Sequence, residues 1–117
     1  MPRLLARRLS IDIGATAHPH PRKRQGDPGE DAHVCSFNDP ASSALIAVAD
    51  GVGAVSGPFA RELMRSAALQ GAQTTDPAAI LHHAWHAARP TEGRSIACVC
   101  VVGEGRLSAV NLGDSAF

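Results

Sequence analysis

The sequence predicts an α+β fold in which two helices pack on a mainly antiparallel sheet. Three observations support this prediction. Strand-like segments precede and follow two segments of helical periodicity, short turns join neighbouring strands, and one late strand is apolar on both faces. The predicted order is β-β-β-α-α-β-β. A length of 117 residues suits one small domain, and 44% hydrophobic with 19% charged residues is typical of a globular chain.

Three strands are predicted before the helices. Residues 9–17 form a weak strand, and residues 32–37 and 44–49 form two stronger strands that a turn at residues 38–40 connects. Between the first two strands, residues 18–29 form a polar loop, because its prolines interrupt helix and sheet alike.

Two helices follow a glycine-rich loop at residues 50–57. The first begins at Pro58 and ends near Gly71, and its buried residues recur at helical spacing: Phe59, Leu63 and Ala67. The second is capped by Asp76 and closed by Pro90, and its predicted buried stripe consists of Leu81, Ala84, Trp85 and Ala88.

Two further strands complete the predicted sheet. Residues 96–102 are apolar on both faces, which indicates a central, fully covered strand, and residues 107–112 form its hairpin partner. Cys98 and Cys100 lie in the central strand as two small side chains on one face, whereas a zinc site would need further ligands at suitable spacing. With Cys35 the cysteines number three, and this odd count does not fit a secreted disulfide scaffold.

The charge balance argues against several classes of partner. Eleven basic residues match eleven acidic ones, so the formal net charge is zero. Nucleic acid and acidic membrane surfaces attract chains with a surplus of Lys and Arg, so neither is an expected partner. No apolar run reaches the roughly 18 residues of a membrane span, and no span is expected.

Residues 1–8 form a short basic segment ahead of a domain predicted at residues 9–117. Arg3, Arg7 and Arg8 alternate with leucines, and no acidic residue precedes Asp12. This pattern is typical of organelle transit peptides, and the alternative is a frayed, solvated terminus. We therefore expect an intracellular protein, mitochondrial or plastid if this segment targets it and cytoplasmic otherwise.

Two acidic clusters occur at strand ends. Glu30 and Asp31 come just before one predicted strand, and Asp50 with Gly51 comes just after the next. If these strands pair as a hairpin, the three carboxylates converge and repel one another unless a cation neutralises them. Oxygen ligands favour Mg²⁺ or Mn²⁺, and a glycine carbonyl can approach a metal closely. The alternative is a simple turn beside a solvated loop.

Five motifs together indicate a family. The chain resembles the PP2C (PPM) metal-dependent Ser/Thr protein phosphatases in the order and rough spacing of GEDAH (29–33), VADGVG (48–53), FARELM (59–64), SIACV (95–99) and NLGDS (111–115). The proline-rich lead at residues 18–23 is similar to that of the Ptc7-like branch and its plant and algal relatives. The resemblance extends from about residue 9 to the last residue.

The resemblance implies a fold and a reaction. The family folds as a sandwich of two antiparallel sheets flanked by helix pairs, of which this chain would hold a part. Its members hydrolyse phosphoserine and phosphothreonine in proteins with two Mg²⁺ or Mn²⁺ ions and a third, weaker one, and a water bridging the ions attacks phosphorus. A complete domain is roughly twice this size, so we expect the isolated chain to be incomplete and the complete protein to be a monomer.

The resemblance also implies residue roles. Asp50 would bridge both metals, the Gly51 carbonyl and Glu30 would contact one of them, and Asp31 would orient metal-bound water. Asp114 would serve the further, weaker metal site. One of three basic residues would hold the phosphate, unless all of them belong to a solvated loop: Arg22, Lys23 and Arg24.

The sequence departs from the family pattern in the loop and strand near the acidic motif. Ala54 replaces a glycine, Ile96 replaces a threonine, and Arg94 replaces a small residue. These changes concern loop shape and substrate contacts rather than the carboxylates. Separately, His82 and His86 lie one helical turn apart, and they either hold a transition metal or form an exposed helix face.

Three functions follow from these observations. The first is a protein phosphatase domain. The alternative is a non-catalytic, truncated PP2C-like module that binds a partner or is a remnant. A third interpretation, which sets the family aside, is a small metal-binding α+β domain.

Overall fold

A computed structural model describes residues 31–39, 41–53, 56–91 and 93–113. Its elements are, in chain order, β1 (Asp31–Asn38), β2 (Ser43–Gly51), α1 (Gly57–Gly71), α2 (Pro77–Ala88), β3 (Ser95–Gly103) and β4 (Arg106–Leu112). The α+β prediction is confirmed, and each of these six elements matches a predicted one. The weak strand predicted at residues 9–17 and the segment at residues 1–8 lie outside the described residues.

The four strands form one antiparallel sheet in the order β1-β2-β3-β4. Tight turns explain the two hairpins. Glu104 and Gly105 have φ of 53° and 73°, the conformation of a two-residue turn that matches strand twist. At the other hairpin, the Ser42 N–H donates to the Asp39 carbonyl at 3.0 Å. The longer connection from β2 to β3 contains both helices, so the helices lie together on one face of the sheet.

The core lies between the helices and one face of the sheet. Alternate residues of the two central strands point toward the helices, as the period of a β-strand requires. They are Leu45, Ala47 and Ala49 of β2 with Ala97, Val99 and Val101 of β3. Most of these side chains are small, so the helices pack on a thin layer built around alanine and valine.

The predicted buried face of α1 is confirmed, and that of α2 is partly corrected. Phe59, Leu63 and Ala67 are buried in α1. In α2 the predicted Leu81, Ala84 and Ala88 are buried as well, but Trp85 is only half-buried. Ile80, which was not predicted, is fully buried. Trp85 lies at the edge of the layer, where its ring meets that of Phe59 edge-on at 5.4 Å between centroids.

Strand β3 is central, as predicted, because it pairs with β2 on one side and β4 on the other. Its burial on both faces holds for residues 97–101, whereas Ile96 and Val102 at its ends are half-buried. Cys98 and Cys100 are buried on the face away from the helices, and this burial raises the pKa of both thiols. They therefore stay protonated at neutral pH, and the Cys98 thiol donates to the Asn111 side-chain oxygen at 3.2 Å.

The sheet face away from the helices is apolar and partly exposed. Phe37, Val48 and Leu107 on this face are 53%, 37% and 65% exposed. Phe37 and Leu107 belong to one row across the sheet, because Phe37 lies opposite Ala44, Ala44 opposite Val102, and Val102 opposite Leu107. Among the described residues, no helix is long and apolar enough to cross a membrane.

The packing of α1 predicts a large difference between two leucines. Leu63→Ala should lower the free energy of unfolding by about 2–5 kcal/mol, because Leu63 is fully buried and its truncation leaves a cavity. Leu69→Ala, in the same helix but 56% exposed, should change it by less than about 0.5 kcal/mol. Urea denaturation followed by circular dichroism measures both. Equal midpoints for the two variants would show that α1 does not pack as described.

Candidate metal centre

The β1–β2 hairpin places Asp31 directly opposite Asp50. Side chains at opposite positions of an antiparallel pair share one face, with Cβ atoms about 4.5–5.5 Å apart. That face is the one away from the helices, because Ala49, the neighbour of Asp50, belongs to the helix-facing core. The predicted convergence is thus confirmed for Asp31 and Asp50, while Glu30 lies outside the described residues.

The two carboxyl groups perturb each other. The pKa of Asp50 is raised above its ordinary value. The largest cause is a hydrogen bond with the Asp31 side chain, and partial burial and charge repulsion from Asp31 add to it. Above the raised pKa of Asp50 both carboxyl groups are ionised and repel each other, and a bound cation would offset this repulsion.

Strand β3 holds the backbone that carries Asp50. Ser95 lies opposite Gly51 and is 6% exposed. Its hydroxyl can donate to the Asp50 carbonyl oxygen at 3.1 Å or to the Ile96 carbonyl oxygen at 2.8 Å. One residue further on, the Val52 N–H donates to the Arg94 carbonyl oxygen at 2.8 Å. The chain leaving the acidic motif is therefore bonded to β3 through both a side chain and the main chain.

Two glycines shape the surroundings of Asp50. Gly53 has φ of +90°, a conformation that other residues rarely adopt, and it turns the chain from β2 toward α1. At the end of β4, a Cβ on Gly113 would lie 2.2 Å from the Ile96 side chain. Gly113 therefore packs closely on Ile96, the residue of β3 that lies opposite Asp50. Asp114, the next residue, lies outside the described residues.

The described residues supply only part of the predicted ligand set. Asp31, Asp50 and Gly51 meet at one corner of the sheet. In the described ranges, no group of three or more His, Cys, Asp or Glu side chains could hold a metal ion. Two adjacent carboxylates beside a glycine carbonyl are hard oxygen donors, so their chemistry fits Mg²⁺ or Mn²⁺. The predicted basic residues also lie outside the described part: Arg22, Lys23 and Arg24.

The histidines of α2 lie apart from this corner. The rings of His82 and His86 are 4.6 Å apart between centroids and meet edge-on, and both side chains are exposed. They border an apolar groove of about 450 Å³ that Trp85 and Leu112 also line. Within the described part of the chain, no third ligand completes a metal site with them, and the two alternatives for this pair stay open.

Known proteins resemble nearly the whole of this chain. The chain is 36% identical to "Probable protein phosphatase 2C 55" of Arabidopsis thaliana over 98% of its own length and 26% of that protein. It is 38% identical to "Probable protein phosphatase 2C 80" of the same plant over 93% of its own length and 28% of that protein. These matches support the resemblance of the chain to the PP2C family.

The similarity covers only part of each relative. The chain spans about a quarter of the length of the curated PP2C relatives it matches. No family model matches the chain, and no solved structure matches it.

The acidic pair predicts an unusual dependence of stability on pH. Because the pKa of Asp50 is higher in the folded chain than its ordinary value of 3.8, the folded state binds more protons than the unfolded state above pH 3.8. Ionisation of both groups therefore destabilises the metal-free fold. This penalty is complete above the raised pKa of Asp50 in the folded chain, and it disappears as the pH falls from that pKa to 3.8.

Removing one charge of the pair should remove the penalty. Without metal ions, Asp31→Asn should raise the free energy of unfolding at pH 7 by up to about 1 kcal/mol, and by nothing below the ordinary aspartate pKa. Asp39→Asn, which removes a charge at the far end of the hairpin and outside the pair, is the matched control. Chemical denaturation at several pH values measures this, and a loss of stability in Asp31→Asn at pH 7 would contradict the repulsive pair.

Proposed function

We propose that this chain forms part of a metal-dependent protein serine/threonine phosphatase of the PP2C family, in its Ptc7-like branch, and that it supplies carboxylates of the metal centre. The observation that carries the proposal is the register that places Asp31 opposite Asp50. The similarity of nearly the whole chain to two PP2C proteins supports it.

The charge of the acidic corner explains why a cation is needed. A phosphate group carries negative charge, and Asp31 and Asp50 would repel it across a short distance. Bound Mg²⁺ or Mn²⁺ ions would reverse the sign of the site, lower the pKa of water and neutralise the phosphoryl oxygens. The carboxylates thus act on a phosphoserine or phosphothreonine substrate only through the ions that they hold.

Each residue has one part in this proposal. The Asp50 carboxylate, at the end of β2, would be shared between two ions, and the carbonyl of Gly51 would contact one of them. Asp31 would accept a hydrogen bond from water beside the ions and so orient that water. Glu30 would add a carboxylate next to Asp31, and Asp114 would extend the site from the end of β4.

The partner of the chain follows from the same proposal. The substrate would be a phosphoserine or phosphothreonine protein, and one of three basic residues outside the described part would hold its phosphate: Arg22, Lys23 or Arg24. The apolar sheet face with Phe37, Val48 and Leu107 is what the second sheet of a PP2C sandwich would cover. We also propose that residues 9–117 form one structural unit with that sheet.

Metal binding is the first test of this proposal. Asp50→Asn should weaken Mn²⁺ binding by at least about tenfold, because it removes the carboxylate shared between the ions. Asp39→Asn makes the same chemical change at the opposite end of β1 and should bind Mn²⁺ like the wild type. Isothermal titration measures both. If Asp50→Asn and the wild type bind Mn²⁺ equally well, the assignment of Asp50 is wrong.

Catalysis is the second test. In protein phosphatase 2C 55 of Arabidopsis, this chain would replace the segment that it matches, and the chimera would be assayed on a phosphoserine peptide with Mn²⁺. We expect turnover in the chimera and a loss of about a hundredfold or more on Asp50→Asn, because misplaced reacting groups cost about that much. Asp39→Asn serves as the matched control. A chimera that folds and binds Mn²⁺ but has no activity would favour the non-catalytic binding module.

A further inference from the structure

Ser56 stands at the start of α1 but does not cap it. Its carbonyl accepts the first helical hydrogen bond, from the Ala60 N–H at 3.0 Å, so it occupies the N-cap position. A serine there normally uses its side chain to accept a backbone N–H of the first turn, which stabilises the helix. The Ser56 side chain makes no such bond. Its hydroxyl therefore serves another purpose.

The hydroxyl joins the acidic loop to the start of β3. It donates to the Val52 carbonyl oxygen at 2.5 Å and accepts from the Arg94 N–H at 3.0 Å. Ser56 is 1% exposed, so both bonds are shielded from water. Val52 follows the Asp50-Gly51 pair directly, and Arg94 precedes Ser95, whose hydroxyl lies within hydrogen-bonding distance of the Asp50 carbonyl oxygen. One buried side chain thus links the two segments that carry the candidate metal centre.

Close packing holds Ser56 in this position. Gly93 has φ of +137°, and a Cβ there would lie 2.8 Å from the Phe59 Cβ and 3.1 Å from the Ser56 hydroxyl oxygen. Phe59 belongs to the hydrophobic core. The segment leading into β3 can therefore approach Ser56 this closely only with glycine at position 93, and the bridge packs against the hydrophobic core.

The bridge complements the ladder bonds of the loop. The Val52 N–H donates to the Arg94 carbonyl oxygen at 2.8 Å. The carbonyl oxygen of the same residue, Val52, accepts from the Ser56 hydroxyl. With both ends of the Val52 residue bonded, the peptide groups after Asp50 have little freedom to rotate. The direction of the neighbouring Gly51 carbonyl depends on that same backbone.

We propose that Ser56 is a positioning residue of the metal centre. Its hydroxyl fixes the backbone after Asp50, so that the Asp50 carboxylate and the Gly51 carbonyl face a divalent cation together. Ser56 itself does not touch the cation. This inference rests on the proposed function, because it requires that Asp50 hold a metal ion.

Ser56→Ala tests the proposal, with Mn²⁺ affinity as the main measurement. The variant keeps every proposed ligand and removes only the bridge, and we expect about tenfold weaker Mn²⁺ binding, the usual effect of losing an outer-shell partner. Ser66→Ala removes another buried hydroxyl from the same helix, ten residues away, and should bind Mn²⁺ like the wild type. Titrations are made well below the melting temperature of each variant.

Amide hydrogen exchange separates positioning from simple stabilisation. In folded Ser56→Ala, the Arg94 and Val52 amides should exchange faster than in the wild type, while amides at the far end of the hairpin keep their rates. A purely stabilising role would lower the melting temperature and leave the Mn²⁺ dissociation constant unchanged, and that result would overturn the proposal.

Two further outcomes are decisive. If the wild type binds Mn²⁺ no better than Asp50→Asn, both the proposed function and this inference fail, whereas wild-type affinity in Ser56→Ala alone overturns only the inference.

If Ser56→Ala does not fold, amide exchange of the wild type is measured with and without saturating Mn²⁺. Coupling is reciprocal, so Mn²⁺ should slow exchange of the Arg94 amide, and an unchanged rate would refute the proposal.

Discussion

The pairing register of β1 and β2 is the constraint on which the site depends. Side chains alternate along a strand, so a slip of one residue would move Asp31 or Asp50 to the helix side of the sheet. The core residues Leu45, Ala47 and Ala49 of β2 oppose that slip. Ala32 and Val34 of β1 pack against the same core and oppose it as well. Hydrophobic packing on one face of the sheet therefore determines where the carboxylates lie on the other.

The same arrangement is unfavourable without a cation. Asp31 and Asp50 repel each other, so the corner is destabilising when both are ionised. The fold tolerates this because the rest of the corner is firmly held by buried hydroxyls of Ser56 and Ser95 and by the central strand β3. A strained acidic corner on a rigid support is the kind of site that a divalent ion stabilises.

Periodicity and turn chemistry predicted all six described elements, and hairpin geometry predicted the meeting of Asp31 and Asp50, because these depend on local sequence. The half-exposure of Trp85 and the burial of Ile80 were missed, since they depend on how α2 rotates against the sheet. Ser56 was also missed: its position before Pro58 indicates a helix cap, and only the approach of Gly93 and Arg94 redirects its hydroxyl. The predictions for Glu30, Asp114 and the basic loop concern residues outside the described part.

Paramagnetic broadening by trace Mn²⁺ in amide NMR spectra would locate the ion without any substitution. The amide signals of Asp31, Asp50 and Gly51 should broaden first, while those of Asn38 and Ser43 at the far end of the hairpin should stay sharp. Broadening centred instead on His82 and His86, or spread evenly along the chain, would contradict a metal site built on the β1–β2 register.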